Sequence, residues 1–369
     1  MFYFLIFIAF QIVFALLLVG GAWFLPESPR WLLSKGREDE GRRVVAALNS
    51  VPENSSEANF HTRIMVDGIK QITETQGKAK RREVFTGGKT QHFRRTMIGA
   101  TSQVFQQIGG CNAIIYFSPV VFEEYLKMDK VPSLALAGAN VSVYAICACL
   151  SYFVIERVGR RKMFLIGAVG QSLSMFILMG CMIPYVVSGE SDYTKTVLKG
   201  SVLGQFLFLA FFGAAWLELP WLYPAEINPL RIRTNANAIS TMSNWSWNFA
   251  VVQWTPPMLD SLQWGTFLFF GVINACFIPI VFFFFPETAG RTLEEIDVIF
   301  ALAYTEGKSY VSVANNMPKL SDEEVKAEAD RLGLTNAAKD VEQEGAPDQL
   351  PAYEVNEEVD RTEGSVKGG

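Results

Sequence analysis

The sequence predicts an all-α membrane protein with about seven transmembrane helices, and three observations carry that expectation. Half of the 369 residues are hydrophobic, 13% are aromatic with 29 Phe and 8 Trp among them, and only 19% are charged. The charges gather in 26–96, in short clusters, and after 286, so long nearly uncharged runs lie between them. A run of about 20 apolar residues is what a bilayer-spanning helix needs. The net charge of −5 comes mostly from the polar tail, so the composition points to membrane lipid as surroundings and to no nucleic-acid partner.

Taken in order, the apolar runs fall at roughly 2–25, 97–122, 132–155, 162–187, 197–224, 235–258 and 264–285. The first begins at Met1, but it has no basic leading segment and its apolar core is long, so it reads as a retained helix rather than a signal peptide. Segment 26–96 carries Arg30, Lys35, Arg37, Arg42, Arg43, Lys80, Arg81, Arg82, Arg94 and Arg95. The link at 156–162 carries Arg157, Arg160, Arg161 and Lys162, and the link after 224 carries Arg231 and Arg233. The alternate links are poorer in Lys and Arg, which places the first set in the cytoplasm. The acidic tail then lies inside as well.

Segment 26–96 is too polar to span. Within it, Glu38–Leu48 combines helix formers with apolar residues at helical spacing and predicts a short amphipathic surface helix. From about 303 the chain is rich in Glu, Asp, Asn, Lys and Gly, with little to bury, which predicts a disordered tail. The division expected is therefore a helix at 1–25, a cytoplasmic linker at 26–96, a six-helix bundle at 97–285 and a mostly disordered cytoplasmic tail at 286–369. Cys111, Cys147, Cys149, Cys181 and Cys276 all lie in apolar runs without metal-ligand spacing and read as inert small hydrophobes. His61 and His92, the two histidines, read as solvated loop residues. No nucleophile–base pair, metal cluster or phosphate loop stands out, so neither an enzyme nor a cofactor is expected.

Polar residues on one face of a spanning helix are the informative ones, because a lipid-facing surface needs only apolar side chains. In the second run Gln103, Gln106, Gln107 and Gly110 follow i, i+3, i+4, i+7 spacing. Asn112 and Tyr116, four apart, share a neighbouring face. In the sixth run Asn237, Thr241, Asn244 and Asn248 form a second stripe with Trp245 beside it. Amides donate and accept, and Trp and Tyr offer a flat face with a polar handle. Carbohydrates need that combination. Amides also knit membrane helices together, so the stripes have two readings, helix-to-helix bonding and a polar cavity; the presence of two stripes with adjacent aromatics favours the cavity. The fifth run holds Glu218-Leu219-Pro220-Trp221 and then Pro224, an interrupted helix of the kind that lines transporter sites.

Four short motifs sit at the cytoplasmic ends of the runs. Pro26-Glu27-Ser28-Pro29-Arg30-Trp31-Leu32 follows the first, and Glu156-Arg157-Val158-Gly159-Arg160-Arg161 separates the third from the fourth. Pro224-Ala225-Glu226 ends the fifth, and Pro286-Glu287-Thr288-Ala289-Gly290-Arg291-Thr292-Leu293-Glu294-Glu295-Ile296 ends the seventh. In order and separation this set resembles the sugar porter family of the major facilitator superfamily over roughly residues 11–300. Tyr223-Pro224-Ala225-Glu226-Ile227 with Arg231 and Arg233 is most similar to its fungal members. The resemblance aligns the first run with the family's sixth helix and the others with helices seven to twelve, the C-terminal six-helix bundle, and implies a chain truncated at its N-terminus.

The resemblance implies sugar contacts at Gln106, Gln107, Asn112, Tyr116, Trp221, Asn244 and Asn248, with Trp245 lining the cavity. Two departures bear on the substrate: Tyr144 stands where the eighth helix often has Asn, and Trp216-Leu217-Glu218-Leu219 replaces a Gly- and Pro-rich approach to Trp221. A charge network at the cytoplasmic face is implied for Glu27, Arg30, Glu156, Arg157, Arg160, Arg161, Glu226, Arg231, Arg233, Glu287 and Arg291. In it Arg157, Arg160 and Arg161 pair with Glu226 and Glu287 to clamp helices when the inner gate is shut, selecting a conformation more than adding stability. The function implied is carriage of a sugar or polyol across the plasma membrane, with proton symport in the full-length form, as in fungal relatives. A non-transporting nutrient sensor on the same scaffold, or an inactive fragment, are the alternatives. Glu218, a carboxylate inside a spanning helix where the family usually has none, is the candidate to carry a proton or accept a sugar hydroxyl.

Overall fold

A computed structural model of the chain describes residues 2–53, 55, 58, 62, 63, 66, 81–125 and 127–334. They fall into two units, Met1–Lys319 and Leu320–Gly369. Helix is the dominant structure and no strand occurs among the described residues. The elements are α1 (Phe2–Phe24), α2 (Pro29–Ser34), α3 (Glu38–Leu48), α4 (His92–Ile108), α5 (Cys111–Val120), α6 (Lys130–Val158), α7 (Arg160–Ser188) and α8 (Asp192–Lys199). They continue with α9 (Ser201–Phe211), α10 (Leu219–Ile227), α11 (Arg233–Leu262), α12 (Trp264–Phe284), α13 (Leu293–Glu306) and α14 (Tyr310–Asn316). Helix α15 (Asp322–Arg331) lies in the second unit.

The short helices begin where local chemistry starts them. Ser28 Oγ accepts from the Trp31 amide at 3.3 Å with Pro29 in the first turn of α2. Glu38, Asp39 and Glu40 fill the first turn of α3, opposite in sign to the helix dipole there. Helix α3 is amphipathic as its spacing predicts: Val45 and Ala46 are buried, while its charged residues face out.

Among the described residues, four helical stretches are long and apolar enough to cross a membrane: Lys130–Val158, Arg160–Ser188, Asp192–Ile227 and Trp264–Phe284. The described part of α1 gives a shorter apolar helix, Ile12–Phe24. The second and sixth expected spans fall outside that set: α4 and α5, 17 and 10 residues long, are separated at Gly109 and Gly110, while α11, 30 residues long, is less apolar because of its polar stripe. Both are interrupted or lined by polar groups that face other helices rather than lipid.

Helix α7 is central, packing along α12 on one side and α9 on another, while α11 lies along α4. Lipid tails are as apolar as leucine, so association here depends on close fit through small residues. Gly204 of α9 shows it: a Cβ there would lie 2.8 Å from the Ser174 carbonyl oxygen of α7. Phe164, Met175 and Leu178 of α7 are wholly buried with Phe208 and Leu209 of α9 and Phe270 of α12. Helix α1 is different. Leu18, Trp23 and Phe24 are 74%, 84% and 88% exposed, an apolar surface left open.

The tail departs from expectation. Where disorder is predicted from about 303, α13 runs on to Glu306 and α14 follows, with Tyr310 stacked on Phe300 at 5.0 Å. Ile296, Ile299, Phe300, Ala303, Val311 and Ala314 join the main core. The polar average of the tail hides this apolar stretch, whose start is marked by a Thr292–Glu295 capping box. The remainder of the expected disorder, 335–369, lies outside the described residues.

Candidate functional site: an amide network on a proline-broken helix

Pro220 and Pro224 stand one turn apart in α10. Each lacks the N–H that would bond the carbonyl four residues earlier, so the Trp216 and Pro220 carbonyls are freed. A π-helical turn at Phe212–Trp216 precedes the break. Glutamines of α4 satisfy both freed groups. Gln106 Nε2 donates to the carbonyls of Trp216 at 2.8 Å and Leu217 at 2.9 Å, and Gln103 Nε2 donates to that of Pro220 at 2.6 Å. The two glutamine oxygens then accept from Asn244 Nδ2 of α11, at 2.5 Å for Gln103 and 2.7 Å for Gln106. Three helices are thereby joined by amides that are all at most 4% exposed.

The next turn of the stripe is less committed. Gln107 Nε2 donates to Asn244 Oδ1 at 3.0 Å, and Gln107 Oε1 accepts from Asn112 Nδ2 at 2.5 Å and Asn248 Nδ2 at 3.2 Å. The side-chain oxygens of Asn112 and Asn248 have no partner among the described residues, and Asn248 is only partly buried. Tyr116, Trp221 and Trp245 are 55%, 44% and 60% exposed. Both donor hydrogens of Asn244 and of Gln106 are used between helices, whereas Gln107, Asn112 and Asn248 keep hydrogen-bonding capacity. Asn237 and Thr241, earlier in the second stripe, are half-buried and outside this network.

The Gly110 member of the first stripe marks a break instead of a face. Gly110 has φ +94° between α4 and α5, and a Cβ there would lie 2.7 Å from the Phe270 ring. Asn274 of α12 donates to the Gly109 carbonyl at 2.8 Å, a third amide serving an interrupted backbone. Trp216, in the departure before Trp221, is 1% exposed and donates from Nε1 to the Phe164 carbonyl at 3.1 Å, so it fills core. Tyr144 stacks on Phe212 at 5.9 Å. Glu218, the carboxylate expected inside the fifth span, is exposed just before α10.

At the charged end only part of the expected network comes together. Arg160, 5% exposed, donates to Glu226 at 2.7–3.2 Å and to Glu156 at 2.6–2.8 Å. Among the described residues Glu287 pairs with no arginine side chain; it accepts from the backbone N–H groups of Arg160 at 2.8 Å and Arg161 at 3.2 Å, at the N-terminus of α7. Gly159, with φ +94°, allows this approach, since a Cβ would lie 2.6 Å from the carboxylate. Thr288 Oγ1 donates to Glu226 at 2.6 Å and closes the cluster. Arg157 is exposed, and Arg161 instead lies over the Phe282 ring and donates to its carbonyl at 2.7 Å. Arg231 forms a two-point pair with Glu83 at 2.7 and 3.0 Å, Arg233 reaches the Asn228 carbonyl, and Arg291 bonds Glu295 and the carbonyls that end α14. Glu27 is exposed, and the side chain of Arg30 lies outside the described residues.

Sequence reasoning missed two groups. Arg95, 1% exposed, pairs with Asp297 of α13 at 2.6 Å, donates to the Ile227 carbonyl at 2.5 Å and lies 4.8 Å over Phe300. It looks like one more loop charge, and only its place one turn before an apolar run could have marked it. Buried Ser118, Asn140 and Gln205 join α5, α6 and α9, with Ser118 donating to Gln205 at 2.6 Å. His92 is likewise buried, against the solvated reading; His61 lies outside the described residues. Cys111 is buried, whereas Cys149 and Cys276 are exposed on the outer surface.

The family model described as "Sugar (and other) transporter" matches residues 3–300. The chain belongs to the sugar transporter family. This family member is 42% identical over 326 residues to the Sugar transporter STL1 of Saccharomyces cerevisiae, covering 88% of the chain and 56% of that protein. It is 43% identical over 327 residues to the Major facilitator superfamily transporter mfsA of Aspergillus fumigatus, covering 89% and 58%. The chain thus spans little more than half the length of the relatives it matches. Its fold is similar to the inward-open xylose transporter XylE from E. coli, with TM-score 0.55 and 24% identity, covering 77% of this chain and 54% of that one. The relatives are named as transporters, not enzymes, and the family makes this chain part of a multi-pass membrane protein.

Proposed function

We propose that this chain supplies the substrate-binding half of a transporter that moves a sugar or polyol by alternating access. The observation that carries the reading is the open end of the amide network. Gln107, Asn112 and Asn248 present unsatisfied donors and acceptors beside exposed Tyr116, Trp221 and Trp245, the pairing that a ring with several hydroxyls needs. Gln106 and Asn244 hold that surface in place through the broken helix, with bonds too committed to be given up cheaply. The Arg160–Glu226–Glu287 cluster acts as the cytoplasmic clamp, pinning α7 to the ends of α10 and α12 in one conformation and releasing them in another. The basic links make the charged end cytoplasmic, and the plasma membrane is the expected location. Proton coupling belongs to the same proposal. It draws on the likeness to fungal transporters, with Glu218 as this chain's own candidate to carry the proton.

Uptake of radiolabelled hexoses, pentoses and polyols in a host lacking its own sugar transporters tests the reading. Expressed alone, the chain should leave uptake at background; joined to the part of the yeast relative that it does not match, it should give saturable uptake. Background uptake in the joined protein, with normal surface expression, would overturn the proposal.

A further inference from the structure

The charged end of the molecule holds a cavity of about 560 Å³ between the start of α4, the end of α12 and the start of α14. Its wall is apolar, formed by Met97, Ile280, Phe283 and Phe284. Phe283 and Phe284 are 63% and 55% exposed, so the wall continues onto the outer surface of α12. Its rim is cationic and polar: Arg94, Lys308 and Ser309. Among the described residues no carboxylate lines the cavity; Glu306 contacts Lys308 Nζ at 2.8 Å without contributing to the lining.

The rim is held in position. Arg94 donates to Gln91 Oε1 at 2.6 Å and lies 5.5 Å over the Tyr310 ring. Tyr310 in turn donates from its hydroxyl to the Phe284 carbonyl at 3.0 Å, tying α14 to the end of the spanning helix. Two cations and a hydroxyl thus stand at the boundary where α12 leaves its apolar run, directly above a lipid-level apolar chute. An anionic headgroup with attached acyl chains matches both halves of this surface, and neither a free anion nor an apolar peptide does. We propose that the cavity is a binding site for an anionic glycerophospholipid of the cytoplasmic leaflet, its phosphate or carboxylate on Arg94, Lys308 and Ser309 and one acyl chain along Phe283 and Phe284. Basic pockets between helix ends are a recurring way for membrane proteins to select charged lipids. The site is separate from the amide network and stands whether or not the chain binds sugar.

Native mass spectrometry of the detergent-purified chain, titrated with phosphatidylserine or phosphatidylcholine, tests this directly. Phosphatidylserine should bind saturably and more tightly than phosphatidylcholine. Its affinity should fall about fivefold for each basic residue removed in Lys308→Gln and in Arg94→Gln/Lys308→Gln, the contribution of one charge near an anionic surface. Arg94→Lys should retain binding, and Lys195→Gln, which removes an exposed cation from another part of the molecule, should leave it unchanged. Lys308 is 66% exposed, so Lys308→Gln leaves the fold intact and decides the matter even if Arg94→Gln destabilises α14. Equal binding of the two lipids, undiminished phosphatidylserine affinity in Lys308→Gln, or an equal loss in Lys195→Gln would overturn the proposal. So would the absence of saturable lipid binding, the result expected if a segment of the protein filled the cavity.

Discussion

His92 is the first residue of α4, with its ring Nδ1 3.1 Å from Thr86 Oγ1 and 3.3 Å from the Glu83 carbonyl. Burial holds the imidazole below its usual 6.5, and the Arg95 guanidinium adds to the effect, against weaker opposition from Asp297 and Glu83. The folded chain therefore binds this proton less readily than the unfolded one. Its contribution to stability is complete above pH 6.5 and is lost as the pH falls below that value through the depressed folded one. The Phe93 amide, bonded to the Thr86 carbonyl at 2.9 Å, reports on the same contact. Its hydrogen-exchange protection factor should drop as the pH falls below 6.5, and His92→Gln should remove that drop. An unchanged protection factor in the wild type would mean that the ring is not coupled to this contact. Nothing in the sequence distinguishes His92 from His61, because its contacts with Thr86 and the Glu83 carbonyl need the folded turn before α4, and the neighbouring Gln91 donates to the Phe300 carbonyl of α13, 209 residues away.

At the scale of elements, the proline-broken α10 and the amide stripe of α4 are one device. Helical spacing alone put Gln103, Gln106 and Gln107 on a common face, and Pro220 and Pro224 announced an interrupted helix. That the first two amides serve the carbonyls freed by those prolines was not legible, since it needs the register of helices more than 100 residues apart. The pairing has a quantitative signature. Gln103→Leu strands the buried Pro220 carbonyl and should cost about 1–3 kcal/mol. Pro224→Ala restores an N–H aimed at that same carbonyl, so Gln103→Leu/Pro224→Ala should lose clearly less than the two single changes together. Thermal unfolding in detergent measures the three values; strict additivity would show that Gln103 acts elsewhere. The tail illustrates the opposite failure. Its Thr292–Glu295 capping box and the apolar run to Ala303 were present in the sequence, but averaging them with the polar residues beyond concealed an ordered helix.

For the whole molecule, the helical character of the chain followed from its apolar runs, because lipid leaves a backbone little choice but helix, although among the described residues only four helical stretches are long and apolar enough to cross a membrane. The four motifs at the charged end gave the family, and the structure then divided their residues. Glu156, Arg160, Glu226 and Glu287 converge, Glu287 through backbone amides, while Arg233 and Arg291 bond nearby helix ends and Arg231 pairs with Glu83. Arginine–carboxylate pairing was legible from the motifs and the resemblance they carry; which carboxylate meets a helix N-terminus was not. The account's central claim is that the open end of the amide network, Gln107 with Asn112 and Asn248, is where the sugar or polyol binds. Equilibrium binding of radiolabelled hexoses, pentoses and polyols to membranes carrying this protein tests it most directly. At least one ligand should bind saturably, and Gln107→Ala should weaken it roughly tenfold or more at equal expression, the cost of leaving a hydroxyl unpaired in a desolvated site. Wild-type affinity in both Gln107→Ala and Asn248→Ala would contradict the claim and leave these amides as links between helices alone.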